Sequence, residues 1–415
     1  MRANEPTRIF YGWWIVAAAF LNLFFVVGVI FYGFPVFYAS FVEALGFTRA
    51  QVTQGFFLGF LIIGLPSGLI AGAVIDRVGA RWVIVAGAGL VGISLLLMAR
   101  MTKLWEYEAL CVMEVLGYVL AGPLANQVLV SKWFRARRGR AMGLAYLGLG
   151  AGGAVAPLLL NYLIRTYGWR HALEVVALAL IAVLFPVGIW VTRSSPEESS
   201  LQADGEAAAH SVAASREAVS SSGVAEAARA KNFWLILLGS TLAIGAIGAV
   251  IQHFILFLKD QGYTSTVAAR FSTGLLVSSL AGRILVGYAV DHVSKKNAMA
   301  LFYFLIGAAG LLLSAAKMSA AVWVFAVIFG FSMGADYMLV PLVTAECFGT
   351  NSLGKLLALI IMGYSLGQWG LPWIVGRIFD ARHSYDLAWK ITAAAGMVGG
   401  LAIYVIRPPR EATRQ

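Results

Sequence analysis

The chain has 415 residues, of which 60% are hydrophobic and only 12% charged, where a soluble domain averages about 25% charged. With a mean hydropathy of +0.81, soluble, fibrous and disordered classes are excluded, and a protein that crosses a membrane many times is what remains. The net charge of +11 gives no reason to expect a nucleic-acid partner, because the basic residues lie in short loops between apolar runs and report orientation instead.

The first apolar run, 11–38, is too long for a signal-peptide core and lacks a small-residue cleavage site, so it is expected to stay as a membrane span. Further spans follow at 50–75, 80–101, 105–133, 138–165 and 170–192, then at 233–258, 265–290, 297–317, 319–347, 353–379 and 386–407. Each is long enough for one helical crossing, which predicts an all-α integral membrane protein with twelve helices. Residues 193–232 are rich in Ser, Ala and Glu and hold no long apolar run. They read as a polar linker between a bundle over 1–192 and a second over 233–415.

Counting lysine and arginine orients the helices. With the N-terminus in the cytoplasm, 19 of the 31 lie on the inner side and 11 on the outer, the remaining one being Arg283. Both termini are therefore expected to be cytoplasmic, in the plasma (inner) membrane of a cell. The two halves repeat: a shift of 215 residues carries Asp76 onto Asp291, Gly148 onto Gly363, Gly152 onto Gly367 and Pro157 onto Pro372. Parallel six-helix repeats place a substrate site near the midplane between them.

Cys111 and Cys347 form no CxxC, disulfide framework or metal-ligand spacing, and read as small apolar helix residues. No metal or cofactor is expected. GxxxxGK[ST], GxSxG and HExxH are absent, which disfavours an enzyme.

Arg283 stands out, eight residues before Asp291 and so roughly 12 Å inside the end of the eighth span. Snorkelling recovers only a few ångströms, and a central arginine costs from about 2.5–3.5 to 10 or more kcal/mol. Such a charge is expected to face protein or a water-filled cavity, and a guanidinium suits a carboxylate because its planar donors match two oxygens at once. A pair with an interhelical acid is the plainer reading, with Asp336 the nearest candidate by depth.

Gly72-Ala-Val-Ile-Asp76-Arg77-Val-Gly79-Ala-Arg81 resembles the signature loop of the major facilitator superfamily, and Gly287-Tyr-Ala-Val-Asp291-His-Val-Ser-Lys295-Lys296 a degraded second copy. That resemblance implies two six-helix bundles and assigns Asp76, Arg77, Arg81 and Asp291 to a cytoplasmic gate. Tyr11-Gly-Trp13-Trp14-Ile-Val, the Phe-Tyr-Gly-Phe-Pro35 run and Lys132-Trp-Phe-Arg-Ala-Arg-Arg-Gly-Arg-Ala-Met-Gly143 are similar to the monocarboxylate transporter family and its bacterial oxalate/formate-antiporter-like relatives. By that resemblance the arginine of helix 8 binds the substrate carboxylate. The chain departs from the animal carriers at Val36, where they have a lysine, and at Ser279, where they have an aspartate. At Tyr364 it lacks the second cation of the oxalate exchanger. One cavity cation favours a monoanion.

His253 and Asp260 fall on roughly one face of helix 7 and are the candidates for proton coupling, His253 also for substrate contact, with Lys259 a partner for Asp260. A packing histidine and a solvated helix end are the bland alternatives. Tyr118, Asn126, Tyr337 and Tyr364 are further candidates for substrate binding, each readable also as an interhelical hydrogen bond. Glu114 and Asp336 are unranked acids inside spans, and the first half is expected to be the apolar wall of the site.

The expectation is therefore a carrier moving a small monocarboxylate such as L-lactate or pyruvate with a proton by alternating access. A proton-independent exchanger and, further off, a drug-efflux carrier are the rivals. The lipid bilayer is its medium, and a monomer is the simplest expectation.

Overall fold

The computed structural model describes residues 10–66, 74–75, 77–134, 137–199, 201, 229–289, 293–348 and 353–407. The described residues contain helices and turns and no strand, as hydrocarbon demands of a chain that must satisfy its backbone internally.

Helix α1 runs through Gly12–Leu23, a π-helical stretch Phe24–Gly33 and Pro35–Leu45, and stops at Gly46 in the left-handed region. The α2 helix is Arg49–Gly59 continued by Phe60–Gly64. Thr48 starts it with a capping box: its hydroxyl accepts from Gln51 N at 3.3 Å and Gln51 Oε1 accepts from Thr48 N at 2.8 Å. Next come α3 (Ala80–Met98) and α4 (Leu104–Ala121 and Pro123–Trp133). The run Arg138–Pro186 divides at Gly168, whose φ of 81° suits glycine, into α5 (138–167) and α6, which continues through Val187–Val191.

The second half comprises α7 (Lys231–Asp260), α8 (Ser265–Ala289), α9 (Lys295–Gly310), α10 (Ser319–Phe348), α11 (Leu353–Arg382) and α12 (Asp386–Tyr404). Among the described residues twelve helices thus form two six-helix bundles. Among the described residues nine stretches are long and apolar enough to cross a membrane, and one of them, Gly139–Val191, holds both α5 and α6.

The repeat read from the sequence is a repeat of helix contacts. Gly148 and Gly152 of α5 lie against the Phe20 and Phe24 carbonyls of α1, while Gly363 and Gly367 of α11 lie against Leu237 and the Thr241 carbonyl of α7. In each half a glycine is required because a Cβ would collide with the neighbouring helix. Helices α8 and α10 interlock in the same way: Gly282 meets the Phe331 carbonyl, and Gly334 meets the Ser279 carbonyl and Arg283 N. The bundles face each other through α1, α2 and α5 on one side and α7, α8 and α11 on the other. Asn232 donates to the Arg407 carbonyl at 2.9 Å, which puts that connection at the terminal end of the molecule; the opposite end is called distal below.

Candidate functional site

Helix α8 begins at the distal end, so Arg283 lies about 27 Å from that end at 1.5 Å per residue. Its Nη2 donates to the Tyr32 hydroxyl at 3.3 Å, across the bundle interface. Tyr32 belongs to the π-helical stretch of α1 and is 3% exposed. The sequence reading missed it, although it sits in the Phe-Tyr-Gly-Phe-Pro run quoted for the resemblance. Expecting the first half to be a purely apolar wall is thereby corrected.

The close crossing at Gly334 sets Asp336 beside Arg283, and the two lie within electrostatic reach. Asp336 is 6% exposed and accepts a 2.5 Å hydrogen bond from the Tyr303 hydroxyl, which also lies 3.3 Å from Ser240 Oγ. Tyr118 shares an electrostatic neighbourhood with Tyr32 and Tyr146, and Tyr364 with Asp336, Tyr118 and Tyr146. Arg283, Tyr118 and Tyr364 therefore come together at mid-depth, and Asp336 and Tyr32 join them.

Asn126 is placed elsewhere. Gly122 and Pro123 interrupt α4 and free the carbonyl of Ala121, while that of Gly122 accepts a long 3.4 Å bond from Asn126 N. Asn126 Nδ2 donates to both at 2.8 Å, and Asn22 Nδ2 reaches the first at 2.5 Å. The amide mends the backbone of its own helix, so its donors are not offered to the layer around Arg283.

His253 and Asp260 also belong to a different layer. His253 is fully buried: Nε2 lies 2.8 Å from the Pro372 carbonyl and Nδ1 3.1 Å from the Tyr385 hydroxyl. A carbonyl only accepts, so Nε2 carries the proton and Nδ1 accepts from Tyr385. By depth His253 lies about 16 Å nearer the distal end than Arg283. Asp260 accepts from Arg49 Nη2 at 2.7 Å, across the bundles, and Lys259 turns instead to Glu43 at 2.5 Å.

These pairs are part of a distal latch. Arg49 Nη1 donates to Tyr385 at 3.0 Å, and its guanidinium lies 4.2 Å from the Phe379 ring centre. The backbone amides of Arg49 and Ala50 each donate to the Asp380 carboxylate at 3.0 Å. That carboxylate of α11 caps the positive end of α2 in the other bundle.

At the terminal end Arg81 Nε donates to the Gly188 carbonyl at 3.1 Å, and its Nη2 to that of Ile189, tying α3 to α6 inside one bundle. Arg77 is exposed. Asp76, Asp291 and the side chain of Tyr337 lie outside the described residues. Cys111 and Cys347 are buried free thiols, and no cluster of metal ligands occurs among the described residues.

The profile of the Major Facilitator Superfamily matches residues 19–369. Monocarboxylate transporter 13 of Rattus norvegicus is 27% identical over 98% of this chain and 91% of its own length. The Fujikurins efflux protein of Gibberella fujikuroi is 25% identical over 83% of this chain and 70% of its own. A bacterial homologue of the human lysosomal transporter Spinster, in an inward-facing and unoccupied conformation, superimposes with a TM-score of 0.65 at 14% identity, covering 97% of this chain and 96% of that one. With a profile match along most of its length and a shared fold along nearly all of it, the chain belongs to the Major Facilitator Superfamily and is a multi-pass membrane transporter.

Proposed function

We propose that this transporter moves a small monocarboxylate, such as L-lactate or pyruvate, together with a proton across the plasma (inner) membrane by alternating access. The observation that carries the reading is Arg283, at mid-depth on α8, with Nη2 3.3 Å from the Tyr32 hydroxyl of the other bundle. A carboxylate set there meets a planar fork of donors from one bundle and a hydroxyl from the other, so occupancy couples the two. Asp336, held by Tyr303 beside Arg283, is the counter-charge that a substrate carboxylate would relieve. Tyr118 and Tyr364 complete the polar wall. Monocarboxylate transporter names among the relatives support this substrate class.

In this reading the bundles over 1–192 and 233–415 are the rocking units, 193–232 is the cytoplasmic linker, and both termini face the cytoplasm. Asp76, Arg77, Arg81 and Asp291 form the cytoplasmic gate, and the latch around Arg49 closes the opposite side. The test is uptake of labelled L-lactate into proteoliposomes under an imposed pH gradient. Uptake should follow the gradient and run electroneutrally. Uptake indifferent to the gradient would remove the symport and leave a carboxylate exchanger, and Arg283→Gln with undiminished uptake would remove the carboxylate site.

A further inference from the structure

Between the distal latch and the layer of Arg283 lies a small cavity of about 20 Å³, lined by rings of both bundles. Phe31, Phe34 and Phe56 belong to the first half and Trp369 to the second. Trp369 stacks on Phe56 at 5.5 Å between ring centres and meets Phe31 edge-on at 5.4 Å, closing the cavity as a lid from the opposite bundle. Into this aromatic box α4 sends Glu114, which is 0% exposed. Among the described residues no hydrogen-bond donor reaches either of its carboxyl oxygens.

The groups that face Glu114 carry no charge to offset its own. Among the described residues they are Tyr38 on α1 and Tyr107, Cys111 and Tyr118 on α4, hydroxyls and a thiol that are neutral near pH 7. Phe56 and Phe60 come from α2, Gln252 from α7 and Trp369 from α11, and α3 packs on α4 with Val91 at Gly117. Gln252 Oε1 is taken by the Tyr38 hydroxyl at 2.8 Å. An ionised carboxylate without a partner is not tolerated in such surroundings. The cavity has room for about one water molecule, so hydration cannot replace a partner while the lid is shut.

We infer that Glu114 is a proton-linked switch of the distal gate: closing the Trp369 lid over it takes up one proton, and parting the bundles at the distal end returns that proton to water. The carboxylate gains the proton from water as the lid shuts and loses it to water as the lid opens, with no other bond changed. By linkage the closed distal end, which holds the extra proton, gains weight as pH falls. The inference goes beyond the proposed function: a proton taken from and returned to the distal side sets the weight of the closed state and moves no charge across the membrane.

It is tested without substrate. Spin labels on Ala44→Cys and Gln261→Cys, at the distal ends of α1 and α7, report the separation of the bundles by electron spin resonance between pH 5 and 9 in proteoliposomes. The parent should shift from a short distance at low pH to a longer one at high pH. Glu114→Gln should stay short throughout, with a response reduced at least about fivefold. Asp386→Asn, an exposed acid at the start of α12, should respond like the parent. If Glu114→Gln fails to fold, Trp369→Ala serves instead: it lets water reach Glu114 in the closed state and should shrink the response by about half. A parent that ignores pH, a Glu114→Gln protein that responds as the parent does, a flat response in Asp386→Asn, or an undiminished one in Trp369→Ala would each overturn the assignment. Failure of lactate uptake alone leaves these distances untouched, so substrate class and proton-linked gate fail separately.

Discussion

Arg49 and Arg283 both reach from one bundle to the other, and they meet opposite chemistry. Arg49, at the distal end, closes on a carboxylate at 2.7 Å and a tyrosine at 3.0 Å, while its own backbone amide binds a second carboxylate. Arg283 meets a neutral hydroxyl at 3.3 Å across the same interface, and its acid, Asp336, comes from its own bundle. A guanidinium fully engaged across the interface holds two bodies together. One that meets a hydroxyl there offers an incoming anion a donor from each bundle.

The largest effect is expected from Arg283→Gln, which should lower lactate uptake efficiency about 30- to 100-fold, or about 2–3 kcal/mol of charge-assisted hydrogen bonding. Arg283→Lys separates charge from fork geometry and should recover only part of the loss. Opening the latch with Arg49→Ala should raise the labelling rate of a cysteine at Thr53, which is 2% exposed one turn below Arg49, by polar thiol reagents about tenfold, because the buried end of an ion pair is lost with its partner left behind. An unchanged rate would mean that the latch carries no share of the closure, and the contrast between the arginines would collapse. Tyr32→Phe should raise KM for lactate about three- to tenfold with turnover little changed, the cost of one neutral hydrogen bond. Glu43→Gln sits at the bottom of the scale. Its carboxylate is 68% exposed beside Lys259, so transport should change less than about twofold.

Hydropathy and charge placement made the twelve helices, their repeat and the depth of Arg283 legible, because a bilayer sorts residues along one axis and the chain records that sorting directly. What depth leaves open is azimuth. Tyr32 is 251 residues from Arg283, and Asp260 is 211 from Arg49, separations at which no periodicity within a helix speaks. His253 and Asp260 do share a face of α7, yet that face turns toward Tyr385 and Arg49 and not toward the arginine of α8. Asn126 looked like a ligand because it is polar in an apolar span. The Gly122-Pro123 pair four residues earlier was the signal that a broken helix needed an amide close by. Glu114 and Asp336 could not be ranked by spacing, since the difference between them is a tyrosine from α9 and an arginine from α8 that reach one and not the other.

The interlocked glycines of α8 and α10 have a mechanical consequence. With the backbones of the two helices in contact on either side of Ser279, they cannot slide independently and behave as one stiff plank carrying both Arg283 and Asp336. Arg283 sits about 27 Å from the plank's distal edge, so a tilt of about 10° pivoting there swings that edge by about 5 Å, wide enough to pass a small solute. In the proposed carrier, a tilt of about 10° at the substrate layer would thus be delivered, by leverage alone, as a doorway at the far side.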